Sequence, residues 1–194
     1  MTSRRIVSML GAIVLVTLVF PFAGNSSQRR DHLTEQEVEQ IKDTQILDKR
    51  IDVFVKAVER RLRVLTGTTT DNAKQQKKDA ELYGALPTGS RAELVGDIAK
   101  ILDEAITNID DVSSRDEKNP LIAKSLRTLA AEATRIVGQL RPLEAQAKDD
   151  AEIASFGQLS ENAESILGAA NRLPPPTEKE KKDKSKADKS KAKT

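Results

Sequence analysis

The chain has no cysteine, no tryptophan and a single histidine. Each absence removes a class of function. Without cysteine there is no disulfide to staple the fold and no thiolate to hold a metal. With His32 alone, just before the first helix cap, most acid–base and nucleophilic sites built on histidine are removed, and the Glu-x-x-His di-iron arrangement of helical bundles is absent. Met1 and Met9 both lie near the N-terminus, which removes a Met–His haem pair from any bundle core. Aromatic residues are scarce. Beyond residue 28 only Phe54, Tyr83 and Phe156 remain. The core must therefore be Leu, Ile, Val and Ala. With 32% charged residues, that composition suits packed helices better than sheet.

The N-terminus carries the clearest signal of compartment. Arg4 and Arg5 precede an apolar run from Ile6 to Phe20, interrupted only by Ser8, Gly11 and Thr17. Pro21 and the small residues Ala23, Gly24, Ser26 and Ser27 follow. A positive, then apolar, then small-residue order is that of a secretory signal. The run is shorter than the roughly 20 residues of a spanning helix, which favours a cleaved signal over an uncleaved anchor. Cutting after Ser26 is acceptable by residue size. In either case the Arg pair stays on the cytoplasmic side and the rest is exported. The expected location is periplasmic or extracellular.

Charge is spread unevenly. The segment after Pro176 holds eight Lys against Glu178, Glu180, Asp183 and Asp188, while the body before it is mildly acidic. An acidic body does not suit nucleic acid. The tail has no Arg and no aromatic residue, so base readout is not expected. It is expected to be disordered, since no side chain beyond Ala can join a core. Four acidic residues dilute its Lys run, so a solvating tail is the favoured reading; weak, salt-sensitive contact with anionic membrane or wall polymer is the alternative.

Periodicity divides the body into helices. Thr34 and Glu37 form a capping box, with Leu33 and Val38 in the staple positions. Ile41, Thr44, Asp48, Ile51, Val55, Val58, Leu62 and Leu65 follow a 3-4-3-4 coiled-coil spacing to a stop at Gly67. This predicts one helix of roughly 31 residues, about 46 Å long, less buried in its first half. Thr68 to Ser90 reads as a long connection, with a polar helix possible over Ala73 to Tyr83. Ser90 and Glu93 form a second capping box. Leu94, Val95, Ile98, Ile101, Leu102, Ala105, Ile106, Ile109 and Val112 then share one face, the widest in the chain. That helix should sit at the centre, with Asp97 facing out. After a charged loop, Ser113 to Lys118, Asn119 caps and Pro120 opens the next helix. Pro142 ends or kinks it. A last helix is expected from about Pro142 to Asn171, interrupted near Gly157. Pro174, Pro175 and Pro176 stop the fold.

Three segments invite a chemical reading. Gly84 to Ser90 approaches a phosphate-binding loop, but lacks its Lys and a preceding strand; a turn leading to a helix cap explains it. Asp103, Glu104, Asp110 and Asp111 lack the loop and Gly of a calcium hand; a solvated face explains them. His32 reads as an exposed linker residue. No catalytic, cofactor-binding or metal site is expected.

Leu33-Thr34-Glu35-Gln36 resembles the Leu-Thr-x-x-Gln element of small periplasmic helical chaperones. Glu37 stands where that element has Gln, no second copy occurs, and the capping box explains the same five residues. The resemblance carries no family assignment. The expectation is an all-α antiparallel bundle of about four main helices over residues 28–173, with a signal or anchor at 1–27 and a tail at 174–194. A structural or protein-interaction role in the cell envelope, through an unknown protein partner or self-association, is the favoured function. A periplasmic holdase-like chaperone is the alternative.

Overall fold

A computed structural model describes residues 31–68 and 73–175. The signal or anchor expected at 1–27 and the Lys-rich tail beyond Pro175 lie outside the described residues.

The described residues are all-helical, with six helices and no strand. They are α1 (Glu35–Asp43), α2 (Leu47–Thr66), α3 (Ala73–Tyr83), α4 (Arg91–Arg115), α5 (Pro120–Glu144) and α6 (Asp150–Asn171). None of them is long and apolar enough to cross a membrane.

The helix starts follow local chemistry. Thr34 and Ser90 each accept from the N3 backbone amide, and Glu37 and Glu93 each accept from the cap amide in return. Asn119 accepts from Leu121 N ahead of Pro120. Gly67 closes α2 in the left-handed region, at φ +64, as the sequence requires.

The single helix of roughly 31 residues does not form. The chain breaks at Thr44, which is extended, with φ −93 and ψ 101. Arg50 Nε donates to Thr44 O at 2.9 Å and its Nη1 to Asn108 of α4 at 3.2 Å. The carbonyl freed by the break is thus taken by a side chain tied to another helix. The break turns Glu37 and Leu33 inward; both are buried.

Helix α4 lies at the centre and packs against α2, α5 and α6. Leu94, Val95, Ile98, Ile101, Leu102, Ala105 and Ile109 are buried, as its apolar stripe predicts. All of these but Leu94 meet Ile51, Phe54, Val58 and Leu62 of α2, Leu126, Leu129, Ile136 and Leu140 of α5, and Phe156, Leu159 and Ile166 of α6 in one cluster. Asp97, expected outside, is buried too.

The C-terminal boundaries differ from expectation. α4 continues to Arg115, so the charged loop is shorter. Pro142 lies in the last turn of α5; it removes the amide that would bond Gly138 O, and the helix closes two residues later at Glu144. The last helix begins at Asp150 because Asp149 caps it, accepting from Glu152 N at 2.8 Å. Ala147 therefore falls in a loop, and Gly157 does not interrupt α6.

Candidate functional site: a buried charge cluster

The groups most able to do chemistry meet where α1, α2 and the turn after α3 come together. Arg60 and Arg61 are adjacent on α2, and each is only 1% exposed. Burying two neighbouring guanidinium groups is unfavourable unless each finds a counter-charge and acceptors. Arg61 Nη1 donates to Glu37 Oε1 and to Ala57 O, both at 2.8 Å. Its Nη2 donates to the carbonyl of His32, just ahead of α1. Its Nε lies 3.8 Å from Asp97 Oδ2, an ion-pair distance longer than a hydrogen bond.

Arg60 serves the other side. Nη1 lies 3.5 Å from Glu37 Oε1, so one carboxylate answers both guanidiniums. Arg60 also donates to the carbonyls of Tyr83, Gly84 and Ala85. These are carbonyls that the end of α3 leaves without helical partners. The guanidinium stands 5.6 Å from the Tyr83 ring centre, a cation–π arrangement. Burial lowers the Arg60 pKa and raises that of Tyr83. Gly84 has φ +70, and a Cβ there would stand 3.1 Å from the Gln36 side chain of α1. Glycine is required by conformation; for space, the Gln36 side chain would have to give by only a few tenths of an ångström.

A second group borders the first. Asp79 of α3 takes Lys56 at 2.7 Å and Arg63 at 3.3 Å, both from α2. Burial alone would raise its pKa; the bonds and charges of Lys56 and then Arg63 outweigh that and hold the carboxyl below its ordinary value. Elsewhere, Arg91 forks onto Glu152 at 2.8 and 2.9 Å, tying α4 to α6. Lys124 of α5 bonds Asp48 of α2 at 2.6 Å, so the polar gap in the α2 seam is filled by a charge from its neighbour.

Chemically, the cluster is an electrostatic tie. A guanidinium has donors only and keeps its proton. It can hold carbonyls and carboxylates in place and cannot relay protons.

The segments singled out from sequence fall elsewhere. His32 is not a free linker residue: its Nε2 is 2.9 Å from Glu104 Oε2, and its side chain is 30% exposed. That contact joins the chain ahead of α1 to α4. Asp103, Asp110 and Asp111 are exposed. Among the described residues no three His, Asp or Glu converge as a metal set. In the Gly84 to Ser90 loop, Gly84 and Ala85 serve Arg60 through their carbonyls and Ser90 caps α4.

Sequence reading missed Arg60, Arg61, Glu37 and Asp97 as a group. One signal was available. Phe54, Ala57 and Arg61 continue a 3-4 spacing, so Arg61 occupies a core position of α2. Comparison with protein-family models, curated proteins and solved structures found no match.

Proposed function

We propose that the protein is exported and has a non-catalytic role in the cell envelope, structural or as a binding partner for protein. One observation carries the reading. Glu37, Arg60, Arg61 and Asp79 take their partners from within the cluster, from Lys56, Arg63, Asp97 and Gln75, and from backbone amides and carbonyls. Charges buried for catalysis face a cleft in which a substrate can reach them. These four tie helices together. The Arg pair and apolar run at the N-terminus support export. The Lys-rich tail supports weak attachment to anionic membrane or wall polymer.

We read α2, α4, α5 and α6 as an antiparallel four-helix core, with α1 and α3 packed outside it. The short connections 116–119 and 145–149 support this, since short loops join antiparallel neighbours.

The test has two arms. A reporter enzyme fused after Thr194 should be active only outside the cytoplasm; cytoplasmic activity overturns export. Cross-linking in membrane and wall fractions should then recover a discrete protein partner or a second copy. Suppression of client aggregation by the purified chain, without such a partner, would replace the role with the holdase one.

A further inference from the structure

Helix α1 is joined to α2 by Thr44, Gln45 and Ile46, none of them Gly or Pro. The 3-4 spacing runs through this joint without a change of phase, from Ile41 through Thr44 and Asp48 to Ile51. Straightened, residues 35–66 would make one helix of roughly 48 Å, and α1 would swing clear of its own α2 and α3. Few contacts keep the joint bent. Thr44 N donates to Ile41 O at 3.3 Å, Thr44 Oγ1 to Gln40 O at 2.7 Å, and Arg50 Nε to Thr44 O at 2.9 Å. Ile46, at the N-cap of α2, supplies no side-chain cap and is 57% exposed.

The seat that α1 occupies has a defined chemistry. Its floor is the Arg60–Arg61 pair, and its match is the Glu37 carboxylate carried by α1. α1 packs against α2 and α3, and Glu37 is its one buried side chain. An empty seat leaves two guanidiniums without their shared counter-charge, which strongly disfavours it. A second copy supplies that same carboxylate in the same helix.

We propose that α1 is an exchangeable element: two copies straighten their joints and each seats its α1 on the α2 and α3 of the other. The exchange is isologous, since each copy gives one Glu37 and receives one. The contacts of α1 in its seat are remade across the pair, and only the joint differs. The balance then rests on helix propensity at 44–46 against the bonds of Thr44 to Arg50 and Gln40. This deepens the binding role proposed above for one partner, a second copy.

The test sizes the full chain in mild detergent micelles by light scattering, over a range of concentration and after refolding at high concentration. Thr44→Ala should raise the dimerisation constant about fivefold, because both joints gain helix propensity. Gln45→Pro lies at an exposed residue preceded by one that is already extended, as proline demands. It bars a continuous helix, so the dimer should be lost while the helical circular dichroism is kept. A dimer that survives Gln45→Pro with its helicity intact overturns the exchange. So does a Thr44→Ala dimer share no higher than that of the parent chain, and this arm decides alone if Gln45→Pro does not fold. Either negative leaves the recovery of a different envelope partner, which tests the broader role, untouched.

Discussion

Glu37 Oε1 accepts from Arg61 Nη1 at 2.8 Å, and neither side chain is more than 1% exposed. The same carboxylate group also closes the capping box of α1, where its Oε2 accepts from Thr34 N at 2.9 Å. One residue therefore starts a helix and fastens it to the next. Such a pair is weak evidence for net stability, because two charges have lost their hydration. It is strong evidence for placement, because only one position of α1 satisfies both groups.

The first prediction follows from that asymmetry. Glu37→Gln keeps the shape and removes the charge that Arg60 and Arg61 share. Breaking one side of a buried pair should destabilise the fold by about 3–5 kcal/mol. Denaturant titration of parent and variant measures it. A change within the range of ordinary surface substitutions, about 0.5 kcal/mol, would mean that water already reaches the guanidiniums.

What sequence disclosed, and what it hid, divides by range. The caps at Thr34, Ser90 and Asn119 were legible because each is settled within four residues. The α4 stripe was legible because a wide apolar face has one way to bury itself. The break at Thr44 was not, because it is held by Arg50 while Arg50 is held by Asn108 of α4. Nothing within α1 or α2 encodes that triangle. Glu37 was hidden differently: its capping role accounted for it fully, so its second partner left no trace. Asp97 was placed by its wheel position on the outer side of α4, and its carboxylate nevertheless lies beside Arg61 in the interior.

The second prediction concerns acid. The Asp79 carboxyl titrates below its ordinary value of 3.8. Since the folded pKa is the lower one, its stabilisation is fully present above the unfolded value and is lost as pH falls through the folded pKa. The parent chain should therefore lose stability in the acid limb below 3.8. Asp79→Asn should lower stability at neutral pH and flatten part of that limb. Asp48 keeps its own share: burial would raise it, and the Lys124 bond and charge outweigh that and lower it. Denaturant midpoints across the carboxylate range are the measurement. Equal acid limbs in parent and variant would show that the Lys56 and Arg63 contacts do not bear on folding.

The third prediction tests the centre of the core. Ile101 is fully buried in α4, which packs against α2, α5 and α6. Ile101→Asp places a carboxylate there with no cation assigned to it. The loss should be several kcal/mol, enough to unfold a domain of ordinary stability. Thermal melting followed by circular dichroism decides it, and parent-like melting would take Ile101 out of the core.

The fourth prediction separates holding a turn from holding the fold. Arg60 reaches the carbonyls of Tyr83, Gly84 and Ala85 in succession, and that fan needs a planar group with several donors. Lysine keeps the positive charge near Glu37 but concentrates its donors on one nitrogen. Arg60→Lys should therefore preserve most of the charge balance and lose most of the turn. Amide exchange should speed up over Leu82 to Thr88 while the amides of Ile98, Ile101 and Leu102 keep their protection, because the turn lies outside the α4 core. Exchange that rises equally in both places would mean that Arg60 supports the whole bundle. Exchange that rises in neither would mean that the three carbonyls find other donors, and that the Glu37 counter-charge is what holds this arginine in place.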